Sequence, residues 1–178
     1  MIFGIFQRRR NNRNIQTLYG AIVAQARLPC FYTLYEVADS VEGRFELIVL
    51  HLVLLLRRLG TVDQAMEQPL FDAFCRDLDD NLREIGVGDL AVPRDMRRFG
   101  GAFYGRQAVY SEAFAAGDPR ELEKALARNI FDMSDIDDRA VRLARYTRAA
   151  ASHLDGETQD RLLAGQALFP RPEAFADA

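Results

Sequence analysis

The chain has 178 residues and 20.2 kDa, with 49% hydrophobic and 28% charged residues, which suits one globular domain and excludes a disordered or collagenous chain. A net charge of -3 and a pI of about 5.5 exclude a global basic field, so no nucleic-acid partner is expected. Two cysteines, Cys30 and Cys75, cannot by themselves make a disulfide framework or a zinc site, and they fit a reducing compartment.

In chain order, the first segment is Met1-Ile2-Phe3-Gly4-Ile5-Phe6-Gln7-Arg8-Arg9-Arg10. Its apolar residues precede its charges, the reverse of a signal peptide. Ile2, Phe3 and Phe6, followed by Arg8, Arg9 and Arg10, have the composition of a small interfacial anchor on anionic lipid, where each arginine contributes about 1 kcal/mol. A frayed, solvated terminus is the alternative. Ile15, Leu18, Tyr19, Ile22 and Val23 then follow helical periodicity, with Asn12 or Asn14 as cap and Pro29 limiting the end. Residues 28–38 are aromatic-rich and fit no single pattern.

Asp39 or Ser40 can cap the next helix, in which Phe45, Ile48, Val49, Leu52, Leu56 and Leu59 form a stripe up to Gly60. Within it Leu47 to Leu56 is almost uninterruptedly apolar. Ten residues fall well short of the roughly 20 that span a bilayer, so the segment reads as a central helix buried on most sides. Leu70, Phe71, Phe74, Leu78, Leu82 and Ile85 make a third stripe, stopped by Gly86. Pro93 suits a helix's first position, and Met96, Phe99, Phe103, Tyr110 and Phe114 continue that helix to Gly117. Asp118-Pro119 opens another, and Asp135 or Asp137 a further one; Gly156 separates a short last helix around Leu162. The pattern predicts an all-α, single compact domain of about seven or eight helices, divided as a basic and apolar segment 1–13, a helical domain 14–164 and a loosely packed tail 165–178.

No catalytic constellation emerges. His51 lies within the apolar run and reads as a core histidine with its hydrogen bonding satisfied; Asp79 and Asp80 point about 100° apart on a helix, too far to work as an acid/base pair. There is no phosphate-binding loop and no metal-ligand or haem motif, so no metal and no cofactor are expected. An enzyme using His51 or an aspartate pair is the weakest of three readings.

Residues 71–114 carry more. Asp63 to Asp95 hold nine acids against three arginines, whereas Met96 to Arg106 hold three arginines and no acid. The helix after Pro93 contains Gly100, Gly101 and Gly105, each costing about 1 kcal/mol against alanine. Gly101 and Gly105 share a face, which either lets a neighbouring helix approach closely or leaves a shallow groove. Beside them stand Phe103, Tyr104 and Arg106, residue types enriched at binding hot spots.

DLDDNLREIGVGDLAVPRDMRR (77–98), AFYGR (102–106) and Tyr110 together resemble the ubiquinol–cytochrome c chaperone family, bacterial relatives of mitochondrial assembly factors. The helices from Asn14 to Leu59 and from Asp118 to Leu163 fit an all-α family domain more loosely. The resemblance implies a non-catalytic chaperone that holds newly made cytochrome b, or an early intermediate of ubiquinol–cytochrome c reductase, with a second assembly subunit as a further partner. It implies a cytoplasmic protein, peripheral on the inner membrane. The expected partner-binding residues are Asp89, Pro93, Arg97, Arg98, Gly101, Tyr104, Gly105, Arg106 and Tyr110. The competing reading is a peripheral lipid-binding helical protein, with Ile2, Phe3, Phe6, Arg8, Arg9 and Arg10 meeting the lipid.

Overall fold

A computed structural model describes residues 2–176 apart from Ile85 and Ala167, with side chains described from residue 11 onward. Eight α-helices lie among the described residues, and no strand: α1 Ile2–Ala26, α2 Cys30–Thr33, α3 Val41–Val62, α4 Glu67–Glu84, α5 Val92–Ala115, α6 Pro119–Ile130, α7 Asp138–Gly156 and α8 Gln159–Leu163. Single turns of 3₁₀-helix at Gln64–Met66 and Pro172–Phe175 complete the described elements.

The long apolar run does become the centre. Val49 to Leu56 of α3 are buried without interruption, and α1, α4, α5, α6 and α7 all pack against this helix. Each fully buried leucine contributes about 1.5–3 kcal/mol. The surrounding helices are amphipathic and turn one stripe inward: Ile15, Leu18 and Ile22 from α1, Leu70 and Phe74 from α4, Leu122 and Leu126 from α6, and Leu143, Tyr146, Ala150 and Leu154 from α7.

Local chemistry fixes the boundaries. Ser40 caps α3 by accepting from the Gly43 amide at 3.1 Å, Asp118 caps α6 and Asp137 caps α7. A Cβ on Gly43 would lie 2.0 Å from the Ala38 carbonyl oxygen, so only glycine allows the preceding loop to cross the first turn of α3. Gly86 takes φ +86° just beyond α4, the left-handed conformation expected of a helix-ending glycine.

Two expectations are corrected. The first helix does not start at Asn12 or Asn14; it runs unbroken from Ile2, because neither asparagine is forced out of helical geometry and no proline intervenes. The tail is not loosely packed. Leu168 and Pro172 are buried, the Tyr35 hydroxyl donates to the Pro172 carbonyl at 2.7 Å, and Gln25 Nε2 donates to the Pro170 carbonyl at 3.1 Å. Pro170 and Pro172 deny this segment helical periodicity, yet its apolar side chains close the bundle between α1, α2 and α7. Residues 1–10, which include every side chain of the expected lipid anchor (Ile2, Phe3, Phe6, Arg8, Arg9 and Arg10), lie outside the described side chains.

Substituting Gly43 by alanine forces either the loop or the helix start to move. The expected loss is about 2 kcal/mol or more, in the range of overpacked sites, read as a lowered urea midpoint.

Candidate functional site

The sequence singled out α5, and the structure divides its residues into two groups. Arg94, Arg97, Arg98, Gly101, Tyr104, Gly105 and Ala108 are all exposed and recur at the three- and four-residue spacing of one helix face. Tyr104 is 57% exposed, its ring 5.5 Å from Phe71 and 5.3 Å from Phe103. A Cβ at Gly101 or Gly105 would meet nothing within 4 Å. Among the described residues, no neighbouring helix therefore packs against the glycines, and the face is exposed. Arg98 lies over the Phe99 ring at 4.9 Å. Pro93 is exposed in the first turn of α5, and Asp89, in the turn before it, pairs with Arg83.

Arg106 and Tyr110 belong elsewhere. Tyr110 is fully buried and cannot touch a docked chain, which corrects its place among the expected contacts. Arg106 turns inward to Glu46 of α3, its Nε lying 2.9 Å from one carboxylate oxygen. Glu46 is 7% exposed; burial pushes its carboxyl above the usual range, against the opposing pull of the guanidinium. The pair ties α5 to the central helix. A half-buried, bidentate arginine is not free to bind a partner.

Of the other candidate groups, His51, Asp77 and Asp79 are engaged by partners within the chain, and Cys30 is buried. His51 is fully buried; its Nδ1 donates to the Leu47 carbonyl at 2.7 Å, which leaves Nε2 to accept from the Tyr146 hydroxyl at 2.7 Å. Tyr146 in turn accepts from Gln25 Nε2 at 3.0 Å. Burial lowers the His51 pKa to about 4, outweighing the Leu47 hydrogen bond, so the ring is neutral and has no spare lone pair for a substrate. Burial also pushes the Cys30 thiol up to about 11, far from a reactive thiolate. Asp79 is paired with Arg83 and Asp77 accepts from the Tyr19 hydroxyl, so neither leads a catalytic pair. Among the described residues no cluster of histidine, cysteine and acids is arranged to hold a metal ion, and no helix is long and apolar enough to cross a membrane.

Fold and site together define a helical body with an exposed arginine, glycine and tyrosine face on α5 and with Glu46, His51 and Tyr146 buried in paired contacts. Comparison with known proteins adds the family. The ubiquinol-cytochrome C chaperone family model matches residues 33–169, and the chain belongs to that family. A crystal structure described as the Cbp3 homolog from Brucella abortus is similar over 98% of this chain and 99% of that one, with 33% identity and a TM-score of 0.85. The search of curated proteins gave no match.

What the sequence did not reveal is that Phe45, Phe74 and Phe99, spaced as core residues, also line an opening between α1, α3, α4 and α5. Periodicity places a residue on the inward face but does not say whether the neighbouring helices close over it.

Two outcomes follow from these buried groups. Arg106→Ala leaves the Glu46 charge enclosed without its partner and should cost about 3 kcal/mol, whereas the double variant Glu46→Leu with Arg106→Met should recover most of that loss in urea unfolding. For His51, the unfolded chain binds a proton near the ordinary 6.5 and the folded chain only near 4. Between these values the unfolded state carries more protons, so this contribution to stability is complete above about pH 6.5 and declines as the pH falls towards 4. His51→Gln should flatten that part of the stability profile relative to the parent.

Proposed function

We propose that this protein is a non-catalytic assembly chaperone of ubiquinol–cytochrome c reductase, holding newly made cytochrome b or an early intermediate until the complex forms. The observation that carries the reading is family membership across residues 33–169, joined to the similarity to a Cbp3 homolog along nearly the whole chain. The buried, fully hydrogen-bonded state of His51 and the engagement of Asp77 by Tyr19 and of Asp79 by Arg83 favour holding over bond-making.

The client surface in this reading is the open α5 face: Pro93, Arg97, Arg98, Gly101, Tyr104 and Gly105, with Asp89 at its entrance. Exposed glycines let an apolar helix come close to the α5 backbone, Tyr104 offers an amphipathic ring, and the arginines engage polar groups that flank a membrane segment. Residues 14–164 form the chaperone body, with the strap after Gly165 closing it. The protein works on the cytoplasmic side, peripheral to the inner membrane, where its client is inserted. Residues 1–13 would meet the anionic lipid surface, and a second assembly subunit is a further partner.

Deleting the gene should lower assembled bc complex while its transcripts stay unchanged; normal complex levels would end this reading. A photo-crosslinker at Tyr104 should capture cytochrome b in living cells. The glycines give a sharper test. Gly101→Ala and Gly105→Ala enter empty space in a helix, so each should stabilise the isolated protein by up to about 1 kcal/mol. If the face works as described, both nonetheless reduce assembled complex. Greater stability with unimpaired assembly counts against this face.

A further inference from the structure

The opening lined by Phe45, Phe74 and Phe99 has a volume of about 300 Å³, at the lower end of ligand-sized cavities. Its floor is apolar: Phe45 packs 5.0 Å from Phe99 and 6.1 Å from Phe74, centroid to centroid, with Ile48 and Leu78 alongside. Its charges are segregated by helix. The two cationic groups are Arg27, at the end of α1, and Arg44, at the start of α3, where an exposed pair with Asp39 at 2.7 Å must be shared with any incoming carboxylate. The acidic group, Asp77, comes from α4, and Asp80 and Glu84 follow it at the i, i+3, i+7 spacing that keeps them along one edge of that helix. The opening is thus an apolar floor with a basic edge and an acidic edge.

That polarity selects the occupant. An anionic membrane surface or lipid headgroup would find Arg27 and Arg44 but would also be set against the acids of α4. A bare acyl chain would leave both edges unanswered. A helix with one apolar stripe, acids on one flank and bases on the other satisfies the floor and both edges together, in the helix-in-groove manner. We propose that this groove binds such an amphipathic helix of another polypeptide, its bulky apolar side chains resting on Phe45, Phe74 and Phe99, its acidic flank against Arg27 and Arg44 and its basic flank against Asp77 and Asp80. The inference deepens the chaperone reading and rests on it in one respect, that the polypeptide is the client.

The test is a fluorescence-anisotropy titration of the full chain with a synthetic 18-residue helix carrying leucine and phenylalanine on one stripe, glutamates on one flank and lysines on the other. Saturable binding is expected. It should weaken at least tenfold when both flanks are glutamate or both are lysine. It should weaken by a similar factor in the double variant Arg27→Glu with Arg44→Glu and in Leu78→Lys, with the helical content and urea midpoint of each variant checked against the parent. Absence of binding, or binding indifferent to flank charge and to the Arg27 and Arg44 changes, overturns the proposal. So does flotation with anionic vesicles that is lost in the same double variant while the peptide is ignored, an outcome that gives the groove to lipid. In cells the two readings separate. If the deletion lowers assembled complex and the double variant does not, the groove is not the client site and the chaperone reading stands. If the deletion itself has no effect, the chaperone reading falls and the titration still decides the groove.

Discussion

A helix buried from Val49 to Leu56 without a break has no face to offer water, so its neighbours must coat it on all sides. That one constraint explains why a chain of this length uses five long helices, α1, α4, α5, α6 and α7, as an outer layer against α3. It also makes two buried ionisable residues of α3 costly, one just before the stretch and one within it. Glu46 and His51 must each have polar partners delivered through an apolar shell. Arg106 of α5 supplies the first and Tyr146 of α7, held by Gln25 of α1, supplies the second. Each partner comes from a different outer helix, so the interactions that neutralise the cost also fix where those helices sit.

The C-terminal strap belongs to the same arrangement. Phe169 packs edge-on against the His51 ring at 4.9 Å, and Phe175 lies against Tyr146 at 6.3 Å. The histidine–tyrosine pair is thereby sealed from water by a segment with almost no regular structure. Sealing is what keeps the imidazole neutral: the same ring, wetted, would titrate near its ordinary value. The strap, the buried network and the position of α7 are physically one unit.

The sequence shows those features that depend on residues near one another along the chain. The stripes of α3, α4 and α6, the cap Asp118 and the stop at Gly86 are set by neighbours within a turn and were legible in the residues, whereas the caps of α3 and α7 were narrowed to Asp39 or Ser40 and Asp135 or Asp137, of which the structure selects Ser40 and Asp137. The family was visible in the order of short segments from Asp77 to Tyr110, and the model match over residues 33–169 agrees with it. What could not be read depends on distant pairs. Nothing local says that Arg106 will find Glu46, 60 residues away, rather than solvent. Nothing local says that Tyr110 is enclosed while Tyr104, six positions earlier on the same helix, is exposed. The strap failed to show for the same reason: Tyr35 and Pro172 meet across 137 residues, and two prolines removed the only periodic signal.

The glycines of α5 carry the argument from stability to function. A glycine inside a helix costs about 1 kcal/mol relative to alanine, and proteins ordinarily accept that cost where a close neighbour or a left-handed backbone demands it. Gly43 has such a neighbour, and Gly86 such a backbone. Among the described residues Gly101 and Gly105 have neither: both are helical and exposed, and an added Cβ would meet nothing within 4 Å. Their helix is pinned from behind by Phe103 in the core and by the Glu46–Arg106 pair, while its outward face presents the two glycines between Arg97, Arg98 and Tyr104. The fold alone gives no compensation for that cost. A partner approaching the α5 backbone would supply one, because a helix face with two glycines one turn apart lets another helix come to short range.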